Sequence, residues 1–127
     1  MLLDADLAEL HGSKMQVEAR AGQRNIGFWD DPREWVSWTV KLLPPGTYAV
    51  SALLAAQAGE TEFVVEAARQ KIVGKAPNTG SWDEFQTINV GEIRFKKPGE
   101  YMVKLRPRDP QAWKPMDLAL IRLQKAD

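Results

Sequence analysis

Two short segments concentrate the side chains able to grip a polar ligand: Asn25-Ile26-Gly27-Phe28-Trp29-Asp30-Asp31-Pro32-Arg33-Glu34-Trp35-Val36 and Pro77-Asn78-Thr79-Gly80-Ser81-Trp82-Asp83-Glu84-Phe85-Gln86-Thr87. Each sets large rings beside turn-forming residues. Rings at strand ends and loop tips either plug a small sandwich or form a dry platform for the C–H face of a sugar, with Asn and Asp reaching its hydroxyls. The carboxylates Asp30, Asp31, Glu34, Asp83 and Glu84 raise the question of glycoside hydrolysis, which needs two carboxyls about 5 to 9 Å apart across a cleft. Adjacent turn acids instead cap elements or face water. The single His11, beside Gly12, reads as structural or solvated. No phosphate-cradling loop is present, and Gly27 and Gly80 read as turn formers. These residues point to binding rather than catalysis.

The 127 residues, 44% of them hydrophobic, suit one self-sufficient domain over 1–127 that needs neither metal nor disulfide to fold. Lys plus Arg (17) balances Asp plus Glu (17) with no basic stripe, so a nucleic-acid partner lacks its electrostatic footprint. The absence of cysteine fits a reducing or an oxidising compartment. The acidic start Met1-Leu2-Leu3-Asp4-Ala5-Asp6 lacks the basic region of a signal peptide, and no apolar run reaches membrane-spanning length.

The elements that must position the rings follow a period of two, the mark of half-buried strands. Val36, Trp38, Val40 and Leu42 alternate with Ser37, Thr39 and Lys41. Beyond Pro44-Pro45-Gly46, Tyr48, Val50, Ala52 and Leu54 continue the alternation, which predicts an antiparallel hairpin. Phe63, Val65 and Ala67 follow the break at Ala58-Gly59-Glu60. Ile88 and Val90, then Ile93 and Phe95, precede Lys97-Pro98-Gly99, and Tyr101, Val103 and Leu105 alternate beyond it. The last segment, Met116 to Leu123, changes phase between Leu120 and Ile121, which predicts a bulge or burial on both faces, and a central rather than an edge strand. Leu3, Leu7 and Leu10 read as a short helix or a frayed leader over 1–10. Eight or nine short strands divided by Gly and Pro predict an all-β fold, an antiparallel β-sandwich or jelly roll.

Taken in order, Val17-Glu18-Ala19, Asn25-Ile26-Gly27-Phe28, Trp35-Val36-Ser37-Trp38-Thr39-Val40, Pro45-Gly46-Thr47-Tyr48-Ala49-Val50, Thr79-Gly80-Ser81-Trp82, Gly91 to Phe95, Pro98-Gly99-Glu100-Tyr101 and Met116-Asp117-Leu118-Ala119-Leu120-Ile121 resemble the β-jelly-roll carbohydrate-binding modules of family 6, over roughly residues 8 to 124. Leu10-His11-Gly12 with Ile26-Gly27-Phe28-Trp29 is similar to modules appended to fucosidase-like and sulfatase-like secreted enzymes. The resemblance implies a galactose-binding-domain-like sandwich, a carbohydrate partner, a covalently linked catalytic domain, and a secreted or periplasmic location. It implies no catalytic residue of the module's own.

It also implies a sugar held at the loop end between Phe28 and Trp82, completed by Asp117 at the start of the last strand. Asn25 offers further hydrogen bonds. Trp29 is the rival platform, because neighbours in an extended segment face opposite sides and one of Phe28 and Trp29 meets the ligand. The family places a ring with a polar edge at the Phe28 position and an amide at the Asp117 position; a carboxylate there repels uronic acids and sulfated sugars. Of the other rings, Trp38 reads as core, Trp35 as core or rim, and Trp113 as a second platform or a lid. Related modules hold a structural calcium on the first and last strands; here Gln16 and Glu18 are joined by Arg20 and Ala119, so no calcium and no other cofactor is expected. The resulting expectation is a non-catalytic carbohydrate-binding module. The alternative is a structural or protein-interaction sandwich packed on a catalytic neighbour, with no sugar site.

Overall fold

The computed structural model describes residues 1–126 as two antiparallel sheets packed face to face. Eleven strands are present among the described residues: β1 (Leu2–Asp4), β2 (Glu9–His11), β3 (Gln16–Arg20), β4 (Gln23–Gly27), β5 (Trp35–Leu43), β6 (Gly46–Ala55), β7 (Thr61–Ala67), β8 (Gln70–Ala76), β9 (Gln86–Phe95), β10 (Gly99–Pro107) and β11 (Asp117–Lys125). One sheet runs β3-β4-β11-β6-β9 with β1 beside β11, and the other runs β2-β5-β10-β7-β8. The β-sandwich expected from the alternation is therefore the observed architecture. Between the sheets lie Ile26, Trp38, Leu54, Phe63, Phe95, Leu105, Leu118 and Ile121, all buried. Their apolar area removed from water holds the layers together.

The N-terminal stretch packs onto the sandwich, with one short turn in place of a full helix. Leu3 is buried in register with Ile121, one 3-10 turn covers Ala5–Leu7, and β2 adds an edge strand to β5. Asp4 starts that turn by accepting the Leu7 N–H at 3.0 Å. These short elements raise the strand count above the expected eight or nine.

The predicted hairpin across Pro44-Pro45-Gly46 does not form. β5 pairs with β2 and β10, while β6 pairs with β11 and β9, so the connection crosses from one sheet to the other. Prolines have no N–H for a ladder, which suits them to leaving a sheet. The link 96–98 crosses in the same way between β9 and β10. The hydrogen-bonded hairpins are β3–β4 and β7–β8.

At the end of β5, Leu42 is 71% exposed and Leu43 only 1%, against the expected phase. Gly99 pairs with Leu43 but Tyr101 with Val40, so one extra β5 residue is accommodated and the side chains beyond it change face. The predicted bulge of the last strand is present, between Leu118 and Leu120, and β11 is central, between β4 and β6.

Candidate functional site

The strand directions bring five connections to one end of the sandwich: residues 12–15, 28–34, 56–60, 77–85 and 108–116. Phe28 and Trp82, the two predicted platforms, lie on the second and fourth of these. The fourth is anchored close to β11: Thr79 donates its N–H to the Ala56 carbonyl at 2.7 Å, and the Ala56 N–H donates to Thr79 Oγ1 at 3.1 Å. Ala55, the preceding residue, pairs with Asp117. Trp82 is half-buried and Phe28 is 49% exposed. Phe28 has φ 58, a left-handed conformation that a bulky residue adopts only under constraint.

Below the rings is a polar cluster on the outer face of β3, β4 and β11. Leu118 pairs with Ile26 and both point into the core, so Asp117 and Asn25, one residue earlier on each strand, point the other way. Glu18 pairs with Asn25 and shares that face. Asn25 and Asp117 are nonetheless 0% and 5% exposed. Asn25 Nδ2 donates to the Gln23 carbonyl at 3.0 Å, but Asn25 Oδ1 and Asp117 Oδ2 accept no hydrogen bond. The Arg20 guanidinium lies 3.2 Å from Glu18 and 3.4 Å from Asp117, close enough for charge attraction; its Nε is not aligned for a hydrogen bond to either. Buried acceptors without donors are costly, which makes this cluster the most conspicuous polar feature of the loop end.

Burial pushes the Asp117 carboxyl up to about 7; Glu18 and Asp30 push the same way and Arg20 opposes them. Near neutral pH much of Asp117 is therefore a neutral acid, a donor and an acceptor at once. In that form it offers what an amide offers, and the expected repulsion of anionic sugars weakens. Glu18 also lies against Gly27: a Cβ on Gly27 would overlap the carboxylate, so a larger residue there would push the Glu18 side chain out of this cluster. The implied calcium does not fit here, because the Arg20 guanidinium already occupies the space between Glu18 and Asp117.

Of the predicted residues, Asn25 and Asp117 lie on the same face of the paired strands β4 and β11, Phe28 follows β4 directly, and Trp82 lies on the 77–85 connection at the same end of the sandwich. Trp29 is removed from the set. Its ring is 0% exposed, its indole N–H donates to the Glu34 carbonyl at 3.0 Å, and Trp113 covers it at 5.3 Å while donating to the Trp29 carbonyl at 2.9 Å. Trp29 is thus core and Trp113 its lid. Trp38 is core as expected, and half-buried Trp35 stacks on His11 at 3.7 Å. His11 Nε2 bonds to Ser37 Oγ at 2.8 Å, which accounts for a buried serine where alternation predicts an exposed one.

Two of the five turn acids are committed to structure, and Asp30, Asp83 and Glu84 face water. Buried Glu34 accepts the backbone N–H groups of Ser13, Lys14 and Met15 at 2.6, 3.1 and 3.2 Å, fixing the 12–15 loop. Asp31 pairs with Arg33 at 3.0 Å, and that hydrogen bond holds its carboxyl down to about 2. Arg20 and Glu18 are the site members missed as ligand neighbours. The signal for them is the polar row Gln16, Glu18, Arg20 at every second position of β3. A separate concavity of about 500 Å³ opens on the other side of the loop end, lined by Glu60, Glu62, Lys75 and Asp109 among others; none of the five candidate residues lines it.

Several solved structures share this architecture. A family 35 carbohydrate-binding module from Clostridium thermocellum superposes with TM-score 0.80 at 13% identity, covering 99% of this chain and 98% of that one. The family 6 module CBM6cm-2 of Cellvibrio mixtus lichenase 5A, in complex with cellotriose, has TM-score 0.75 at 21% identity and covers 100% and 98%. The Podospora anserina GH26-CBM35 β-(1,4)-mannanase has TM-score 0.78 at 16% identity; all of this chain matches 28% of that enzyme. At such identities the likeness is one of fold. No curated protein sequence matches the chain. The family model described as Domain of unknown function (DUF5077) matches residues 11–124, and the chain belongs to that family.

Proposed function

We propose that this domain is a non-catalytic carbohydrate-binding module that holds a sugar at the loop end and directs an attached glycoside-processing enzyme, of the fucosidase or sulfatase kind, to its substrate outside the cytoplasm. The observation that carries the reading is the exposed, left-handed Phe28 just beyond β4, on the strand that carries Asn25, together with two buried acceptors that make no hydrogen bond, Asn25 Oδ1 and Asp117 Oδ2, the latter only 3.4 Å from Arg20. Two acceptors and a protonatable carboxyl suit the vicinal hydroxyls of a pyranose, while Phe28 and Trp82 supply apolar faces. The fold shared with family 6 and family 35 modules supports it, as does the commitment of Glu34 and Asp31 to structural bonds.

A single-sugar site of this kind works at dissociation constants from about millimolar to micromolar, or about −4 to −8 kcal/mol. Linkage to a second domain raises the effective affinity. The test is a glycan array of the wild type beside Trp82→Ala, with both melting at the same temperature. Neutral-sugar binding by the wild type alone supports the module; silence from both favours a sandwich that packs on a neighbour without binding sugar.

A further inference from the structure

At the end of the sandwich remote from the loops, the two-residue turn Ala68-Arg69 between β7 and β8 meets the 96–98 crossing between β9 and β10. Together they enclose a concavity of about 570 Å³ lined by Arg69, Gln70, Arg94, Lys96, Lys97 and Tyr101, closed by Ala68. That volume suits a small ligand or a segment of a chain. Four of the lining side chains are cations and none is a carboxylate. Among the described residues, none of the four takes part in an ion pair. In a chain of zero formal net charge, this is a local excess of positive potential inside a concave surface, which draws anions.

The walls are braced. Gln70 Nε2 donates to the Arg94 carbonyl at 2.6 Å while Gln70 Oε1 accepts the Arg94 N–H at 3.0 Å. This double bond stitches β8, the edge of one sheet, to β9, the edge of the other, and fixes the spacing of Arg69 and Arg94. The Tyr101 hydroxyl donates to the Lys97 carbonyl at 2.5 Å, and its ring packs edge-on against Phe95 at 4.7 Å, so the second wall is held too.

Backbone strain adds an independent observation. Ala68 and Arg69 have φ 52 and 61, both left-handed. The corresponding turn of β3–β4 has Ala21 at φ 50 and Gly22 at φ 78. Where one turn meets the same demand with glycine, the other carries an arginine in a conformation that L-residues avoid. Glycine would fill this position without strain, so the turn holds the arginine beside the concavity at a backbone cost.

We propose that this end of the sandwich is a second site, independent of the loop-end site, which binds acidic polysaccharide chains by holding their sulfate or carboxylate groups between Arg69, Arg94, Lys96 and Lys97. A saccharide fits better than a nucleic acid: the cations ring one concavity instead of tracking a backbone, and no exposed ring among the lining residues stands ready to stack bases. Arginine forks suit planar oxyanions, and the lysines add point charges.

The experiment is affinity electrophoresis and calorimetry of the full chain with dextran sulfate, polygalacturonate, neutral dextran and a single-stranded oligonucleotide. Four proteins are compared: wild type, Arg69→Gly, the double variant Arg94→Gln/Lys96→Gln, and Trp82→Ala. Arg69→Gly keeps the turn's backbone, so it folds even if the double variant does not. The wild type is expected to bind both acidic polymers and not neutral dextran, with affinity falling as salt rises. Arg69→Gly is expected to lose about tenfold in affinity at an unchanged or higher melting temperature. Trp82→Ala should bind the acidic polymers normally, which separates this site's failure from that of the loop end. Equal binding by wild type and Arg69→Gly, no binding by either, or an oligonucleotide affinity matching that for dextran sulfate overturns the proposal.

Discussion

The two ends of this sandwich solve different problems with the same scaffold. At the loop end, long connections carry aromatic rings and carboxylates, and most of their polar atoms are spent on the protein itself: Glu34 secures three backbone N–H groups and the Trp29 indole secures Glu34. What remains uncommitted is a buried pair of acceptors at Asn25 and Asp117. At the turn end the connections are short, the charges are exposed cations, and the bracing is done by the neutral side chains of Gln70 and Tyr101. The contrast puts buried polar groups and rings into the stability of one end and leaves the cations of the other outside it. A substitution at the loop end disturbs packing or a buried charge, whereas one at the turn end changes the surface potential and little else.

That contrast breaks most visibly at Trp29. Trp29→Ala removes a wholly buried ring, its bond to Glu34 and the seat of Trp113, and should cost about 3 to 5 kcal/mol in a urea unfolding experiment. A loss under about 1 kcal/mol would mean that the ring is not the core of the loop end.

The next largest effect is at Asp117, through pH. Its folded-state value near 7 lies above the unfolded value near 4, so between these the native state binds the extra proton. Stability should therefore fall as pH rises from about 4 to 7, and the penalty is fully present above 7. Asp117→Asn removes the titration. Its melting temperature should match the wild type near pH 4.5 and exceed it at pH 8, by an amount equivalent to about 2 kcal/mol once the shift is discounted for solvent screening. Parallel melting curves for the two proteins across this range would show that the buried carboxyl is not strained. The asparagine variant should also retain neutral-sugar binding at pH 8, since it keeps a donor and an acceptor.

The smallest effect sharpens the other side of the comparison. Arg69→Gly relieves a left-handed arginine at the price of a freer unfolded chain, so the net change should lie within about 1 kcal/mol and favour the variant. Differential scanning calorimetry reads it directly. A drop of several degrees would tie Arg69 to the fold and erase the distinction between the two ends.

Much of this was written in one dimension. Period-two alternation with Gly and Pro breaks fixes an antiparallel sandwich, because residues two apart share a face whatever the rest of the chain does. The phase change in the last strand marked its bulge and its central place for the same reason. Trp38, flanked by polar neighbours in a strand, could only be core. The resemblance named Phe28, Trp82 and Asp117 as candidates at the loop end, and side-chain chemistry added Asn25.

Other features depended on contacts between distant residues. Whether Pro44-Pro45 closes a hairpin or crosses between sheets turns on which strands pair, and alternation is identical in both cases. Which of Phe28 and Trp29 enters the core was decided by a backbone twist at Phe28 and by Trp113, 84 positions further along. No charge run marks the basic concavity, since Arg69 in the β7–β8 turn, Arg94 on β9, and Lys96 and Lys97 in the link after it are set side by side only by the packing of β8 against β9. Local spacing determines which face a residue takes; proximity between strands far apart in the chain, and with it burial, charge state and the grouping of cations, is a property of the packed sheets alone.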